Sequence, residues 1–514
     1  MDSKSITKKL ISGSIVRITL LVCSVGASFF LVPFLVHALG DRMHGVWVLI
    51  GRFMGYYGIL DLGLSSAVSR FVSRAYGQND YDEINRVFNT SLVLFGLIGL
   101  VALAISFLIA LLCPHFVKDP HEIELFKKVI LILGVSLAVG FPAKSFMGVL
   151  YSKLRYDLMA GVDLLKLLVR TALIIYFIKA GNGILALALI TCLVELMGYA
   201  AYFWLLLREF EQIKFSLTLV KLKTVKTLFQ YSAFTFIQEI AELLRFRVDE
   251  FVIAGSLGVG FVTHYFIGTK LIDLFSQFMG SALGMMTPVF SQFEGRSDMH
   301  SVKRAFFEVS KITVILAVFV GASLTLYGKV FIERWMGPGY HDSYYVLLIL
   351  CIPMTLALAQ STSFGLLYGI SKHHYLAIVS GCEGIVNLIL SLILVRYYGI
   401  YGVALGTLIP LLIVKLFFQP FYVCHVLNVT WKEYLIDTLI VPAVKTLIPV
   451  LGYWLVVRYY LIPSYLNISL IAGLSIVLFI PVCYFLILSP WQRQLIRRHM
   501  FHRKEVMPAV TVSD

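Results

Sequence analysis

Ionisable side chains recur inside stretches of this 514-residue chain that are otherwise as apolar as lipid tails. At membrane depth such a group costs roughly 3 kcal/mol or more unless it faces a partner or water, so each one marks a candidate site. They are Arg17, Arg52, Asp61, Lys144, Asp163, Lys166, Arg170, Glu195, Lys270, Asp273 and Glu383, with the densest run at Glu239, Glu242, Arg245, Arg247, Asp249 and Glu250. Cations in such a place suit an anion, above all a phosphate or diphosphate, because guanidinium and ammonium groups replace the hydration that phosphoryl oxygens lose. Cationic compounds would be repelled.

Depth separates these residues. Arg17 and Lys144 lie five or six positions from a helix end, about 8–9 Å at ~1.5 Å per residue, so snorkelling to the interface explains them as well as a site does. Arg52 lies deeper, at roughly 12 Å on the same rise per residue, and Lys270 has a similar depth. These two are expected to converge on one anion-binding cavity, with Arg17 and Lys144 as further contacts. Asp163, Lys166 and Arg170 follow i, i+3, i+7 spacing and share one helix face, as do Glu242, Arg245 and Asp249. Both sets fit internal ion pairs and a transport role equally. Glu239, Glu242, Arg245, Asp249, Glu250 and Asp61 are the candidates for coupling or gating. No metal site or cofactor is expected: His373-His374 reads as a solvated loop pair, and the seven cysteines stand singly on apolar stretches without CxxC spacing.

The elements that must position these groups are membrane helices. The chain is 59% hydrophobic and only 14% charged, against roughly a quarter charged for soluble domains. Apolar stretches long enough to cross a ~30 Å hydrocarbon core lie near 14–37, 44–69, 88–112, 128–150, 158–178, 183–207, 227–254, 260–289, 305–327, 343–369, 375–395, 400–424, 437–457 and 466–488. The expected fold is therefore an all-α integral membrane protein of about 14 transmembrane helices. Pro33, Pro142, Pro288 and Pro353 lie inside segments and suggest kinks.

A self-similarity at a spacing of 218 residues organises them. Leu39-Gly40 falls on Leu257-Gly258, Trp47 on Tyr265, Arg52 on Lys270, Asp80 on Asp298, Arg86 on Arg304 and Phe88 on Phe306. Further on, Ser145-Phe146 matches Ser363-Phe364, and after one inserted residue Tyr156 matches Tyr375 and Gly183 matches Gly402. One six-helix unit has thus been written twice, a pattern of secondary transporters that bind substrate between repeats. The expected domains are a bundle over 1–210, a linker over 211–226, a second bundle over 227–424, an extra helix pair over 425–490 and a basic tail over 491–514.

Lysine and arginine crowd the loops at alternate ends of the segments, including Lys8, Lys9, Arg70, Arg74, Lys153, Arg155, Lys214, Lys221, Lys223, Arg304, Arg497 and Arg498. Positive loops stay in the cytoplasm, which places both termini there. The formal charge of +14 reflects this topology, so no nucleic-acid partner is implied. The Lys-rich start runs into an apolar segment too long for a cleavable signal. Every connection is too short to fold as a catalytic domain, and no phosphate cradle, HExxH or GxSxG motif is present. An enzyme or a nucleotide-driven pump is therefore not expected.

The stretches LGDRMHGVWVLIGRFMGYYGILDLGLSSAVSRFVSRAYGQND at 39–80, RVDEFVIAGSLGVGFVTHYFIGTKL at 247–271 and SFGLLYGISKHHYLAIVSG at 363–381 resemble polysaccharide-biosynthesis flippases. These are O-antigen type translocases of the multidrug/oligosaccharidyl-lipid/polysaccharide exporter superfamily, related to the lipid II flippase. The resemblance implies two alternating six-helix bundles in the cytoplasmic (inner) membrane that carry an undecaprenyl-diphosphate-linked oligosaccharide outward, with membrane lipid and other glycan-assembly proteins as partners. In the lipid II branch, cations on helices 1, 2 and 8 line the cavity, and Arg17, Arg52 and Lys270 stand in similar places; Asp249 resembles a common acidic position. Segments 13 and 14 look like the pair that forms a lipid-tail groove there. The alternative is a cation-coupled exporter of small amphipathic compounds. The absence of an acidic residue from segment 1, where drug exporters of the superfamily often carry a coupling carboxylate, weighs against it.

Overall fold

The computed structural model describes residues 3–115, 117, 119–153, 155–230, 232, 236, 248–283, 290, 299–370, 372, 374–488, 492 and 493. Within lipid every backbone N–H and C=O must be satisfied inside its own segment, so apolar stretches of this length become helices. The principal ones are α1 (Ser3–Tyr56), α2 (Leu64–Gly77), α3 (Tyr81–Leu112), α4 (Pro120–Ser152), α5 (Tyr156–Lys179), α6 (Ile184–Glu209), α7 (Asp249–Ser256) and α8 (Val259–Leu283). They continue with α9 (Met299–Met336), α10 (His341–Ala359), α11 (Ser361–Gly369), α12 (His374–Ile413), α13 (Gln419–Leu427), α14 (Val441–Val457) and α15 (Tyr465–Val482). No strand occurs among the described residues. The protein is thus an all-α, multi-pass membrane protein.

Nine spans among the described residues are long and apolar enough to cross a membrane. Two of them, Val22–Asp61 and Ile378–Leu427, each join two of the expected segments across a glycine. Gly40 leaves helical geometry at φ 75° within α1, and Gly399 does so at φ 57° within α12. Positive φ strains any residue with a Cβ, which is why glycine occupies these breaks. Gly258, the repeat mate of Gly40, has φ 106° and separates α7 from α8, so the 218-residue echo reappears as matched bends. Pro288 lies outside the described residues.

The chain divides into two compact units, Met1–Ile267 with Ser380–Gly406, and Gly268–Val379 with Thr407–Asp514. In the first, Leu64, Val68, Phe88, Phe95, Phe141 and Leu206 belong to one buried core. Its helices approach through small residues: Gly99 lies against the backbone of Ala138, and Gly134 against Ser106. Lipid offers no hydrophobic drive between helices, and close contact of this kind supplies dispersion in its place. The Asp80 side chain caps α3 by accepting from the Glu83 N–H at 2.9 Å.

The second unit packs around Phe275, Phe306, Leu366, Leu427 and Tyr434, with the ring of Phe306 stacked on Tyr434. Its helices include π-helical stretches at 414–418, 432–440 and 483–487. An apolar cavity of about 250 Å³ opens between α9 and α15, lined by Phe319, Ser323, Tyr327, Ser475 and Ile476. A second, of about 130 Å³, reaches Pro449 and Tyr453 of α14.

Candidate functional site

The bend at Gly40 starts a second leg of α1, and Arg52 sits near its far end. Its Nε and Nη2 both donate to Oε1 of Glu250 in the first turn of α7, at 2.9 and 2.5 Å. The Glu250 side chain is 2% exposed and that of Arg52 is 21%. Oε2 of Glu250 has no hydrogen-bond partner among the described residues. A carboxylate buried this deeply persists because a cation faces it. Aromatic rings wall the pair: Phe251 meets Phe53 at 4.5 Å and Tyr56 at 5.5 Å between ring centroids. Beside it, Asp249 accepts a 2.5 Å hydrogen bond from the Tyr265 hydroxyl.

The same leg of α1 is seated on the start of α8. Gly45 lies against the Val259 carbonyl so closely that no Cβ fits. Around that contact, buried His44 is 3.1 Å from the Thr263 hydroxyl, which donates to the Asp41 carbonyl at 2.8 Å, and His264 lies 3.5 Å from the Asp41 carboxylate. At the start of the leg Arg42 bridges Asp119 at 3.2 Å and Glu122 at 2.8 Å. The His121 N–H, foremost, and then the Glu122 N–H and Arg42, hold the Asp119 carboxyl below its ordinary range.

Asp61 does two things at once. It accepts from the Ser65 N–H at 2.9 Å and the Ser65 hydroxyl at 2.5 Å, closing the start of α2 after left-handed Leu62 and Gly63. It also forms an ion pair with Lys144 of α4, whose ammonium lies 4.8 Å from the Phe141 ring centroid. One expected phosphate contact is therefore paired with one expected coupling residue. On α5 and α6, Lys166 bridges Glu195 at 2.7 Å and Asp163 at 3.4 Å, Arg170 reaches Glu195 at 3.5 Å, and Tyr202 donates to Asp163 at 2.7 Å. These two cations and two carboxylates join the helices. Glu383 is buried on α12 in register with Asn387 and Ser391.

Lys270 is half-buried on the part of α8 that belongs to the second unit. The helix α1 runs through Arg17, whose side chain is not among those described. Glu239, Glu242 and Arg245, with Arg247 and His373, lie outside the described residues. A residue the sequence reading passed over is Lys415, 1% exposed in the 414–418 stretch. It donates to Gln419 at 2.5 Å and lies 4.5 Å from the Phe364 ring centroid. Gln360 ties the surrounding elements together, donating to the Lys415 carbonyl at 2.7 Å and accepting from Tyr434 at 3.1 Å. The signal was present as an ionisable residue within segment 12, of the same kind as those singled out elsewhere.

Long helices that are broken at glycines and carry paired charges at depth make up a fold that solved membrane transporters share. A lipid II flippase, MurJ, in an inward closed conformation matches with a TM-score of 0.71 at 15% identity, covering 93% of this chain and 100% of that one. An inward-facing multidrug resistance MATE transporter of the MOP superfamily matches at 0.66 and 15% identity, covering 78% and 95%. The polysaccharide biosynthesis protein family matches residues 44–345, and the chain belongs to it. Among relatives, the uncharacterized membrane protein EpsK of Bacillus subtilis is 22% identical over 422 residues, 80% of this chain and 82% of that protein. A candidate O-antigen transporter of Shigella flexneri is 23% identical over 405 residues, 76% and 92% respectively.

Proposed function

We propose that this protein is a flippase that moves an undecaprenyl-diphosphate-linked oligosaccharide across the cytoplasmic membrane by alternating access, supplying polysaccharide or O-antigen assembly. Membership of the polysaccharide biosynthesis family across 44–345 carries this reading. The fold of the lipid II flippase and the naming of the Shigella relative support it. In this reading both termini are cytoplasmic and other glycan-assembly proteins are partners. The lipid tail stays outside the polar path, against the apolar surfaces of α9, α14 and α15, where the cavities near Tyr327 and Ser475 lie.

Arg52 and Lys270 contact the diphosphate, with Arg17 and Lys144 in support. Glu250 keeps the guanidinium of Arg52 aligned until phosphoryl oxygens take its place, since both are oxygen anions that suit the same donors. Lys144 joins only after leaving Asp61. Glu239, Glu242, Arg245, Asp249, Glu250 and Asp61 are the coupling or gating residues of this scheme, driven by an ion gradient, the membrane potential or consumption of product. Replacing Arg52 and Lys270 together by alanine abolishes surface glycan even after normalisation to the protein remaining in the membrane, while lipid-linked intermediate accumulates. Normal glycan from that variant overturns the assignment of these two residues.

The MATE-like fold favours one second reading, a cation-coupled exporter of small amphipathic compounds. It predicts drug sensitivity and intact surface glycan on deletion, the opposite pattern.

A further inference from the structure

The segment that follows α6 is held by the first unit in an unusual way. Asn85 and Asn89, one turn apart and buried on α3, use their side-chain amides as a backbone would. Asn85 donates to the Gln212 carbonyl at 3.0 Å and accepts from the Lys214 N–H at 2.7 Å; Asn89 donates to the Lys214 carbonyl at 2.7 Å and accepts from the Ser216 N–H at 2.9 Å. Residues 212–216 are therefore pinned to α3 by two amide rungs. Phe215 is fixed against Phe88, 5.3 Å between ring centroids. Farther on, Leu228 is buried in the core that holds Leu206 and Phe210.

Between these two anchors the chain projects apolar side chains outward. Leu217 is 79% and Leu222 83% exposed, the two most exposed leucines among the described residues. In the helical stretch 222–230, Leu222, Lys226 and exposed Phe229 follow i, i+4, i+7 spacing and share a face that does not include the buried Leu228. Lys214, Lys221, Lys223 and Lys226 interleave with these residues, and 214–230 contains no acidic side chain. The segment begins a few residues beyond the last turn of α6, where Arg208 lies 5.3 Å over the Trp204 ring, a pairing suited to the headgroup level. Apolar side chains alternating with lysine at that level match the acyl boundary and the anionic phosphates above it.

We propose that segment 214–230 docks on the anionic lipid headgroups of the surrounding bilayer. Leu217, Leu222 and Phe229 enter the acyl boundary, while Lys214, Lys221, Lys223 and Lys226 rest on lipid phosphates. Because Asn85 and Asn89 hold its entry and Leu228 its exit, docking fixes the first unit's edge at a set depth. The inference is independent of what the protein transports.

The full-length protein is reconstituted in two nanodiscs, one of phosphatidylcholine and one of equal parts phosphatidylcholine and phosphatidylglycerol. Trypsin cleavage after Lys221, Lys223 and Lys226 is followed by mass spectrometry against cleavage after exposed Lys179, which corrects for protease attraction to the charged disc. Amide exchange over 217–223 is read in parallel. Cleavage and exchange slow by on the order of tenfold in the anionic disc, given several lysines near a charged surface, and high salt removes most of this protection. The double variant Leu217→Ser/Leu222→Ser, both positions being exposed, loses it at low salt as well. Equal cleavage and exchange in the two discs, or protection that survives the double substitution, overturns the proposal and leaves this face to a protein partner.

Discussion

The Arg52–Glu250 pair separates a residue that stabilises from one that transports. Replacing Arg52 by alanine leaves a carboxylate that is 2% exposed without the guanidinium that donates twice to its Oε1. Breaking a buried pair from one side costs about 3–5 kcal/mol, and the one-fifth exposure of Arg52 puts this case toward the lower end. Among the described residues the second oxygen has no hydrogen-bond partner to share the charge. Removing the charge as well, in Arg52→Ala/Glu250→Gln, recovers stability to within about 1 kcal/mol of the parent, because neither ion is then left buried alone. Thermal inactivation in detergent, read by size-exclusion profile after heating, ranks parent, single and double variants. Surface glycan in a deletion strain, normalised to membrane protein, reads transport. The single variant is unstable and inactive; the double is stable and still inactive. A double variant that regains glycan refutes a phosphate-binding role for Arg52 and leaves it a structural partner of Glu250. A single variant as stable as the parent refutes the electrostatic reasoning itself.

Three further outcomes follow from the first unit. Asp61→Ala removes the helix-start bonds to Ser65, worth about 1 kcal/mol, and leaves a Lys144 side chain that is 33% exposed and can reach water, whereas Lys144→Gln leaves the buried Asp61 carboxylate without its cation; thermal stability falls more for the lysine. Gly45→Ala drives a methyl into the Val259 carbonyl and costs roughly 1–3 kcal/mol, while Gly51→Ala, facing open space, is neutral in the same assay. Asn85→Ala/Asn89→Ala removes four bonds to 212–216, each worth ~0.5–1.5 kcal/mol, so the amides of Lys214 and Ser216 exchange much faster with hydrogen-exchange protection in α3 unchanged.

Much of this architecture was legible in the residues because the membrane permits so few backbone solutions. Apolar stretches of sufficient length had to become helices, and the Leu-Gly echo at 39–40 and 257–258 became two positive-φ bends at Gly40 and Gly258. The ionisable residues at depth were visible for the same reason. The Lys166–Asp163 contact was readable too, since residues three apart on a helix are neighbours whatever else surrounds them.

Partner choice was not readable in this way. Arg52 and Glu250 are separated by 198 positions, and Asp61 and Lys144 by 83. Which cation meets which carboxylate depends on the rotation of each helix about its axis and on how closely neighbours approach. Those are set by contacts such as Gly45 on Val259 and Gly134 on Ser106. Lys415 shows the same division: its presence in an apolar segment was plain, but only packing around Gln360, Gln419 and Phe364 made it a fully buried ammonium. Local sequence determined that this chain is helical, repeated and charged at depth, because each of those properties is settled within a few turns, whereas the breaks expected at prolines fall in the structure at Gly40 and Gly399. Tertiary structure alone decided which charges on different helices neutralise one another, because such pairing requires two distant helices to present their side chains at one height and one angle.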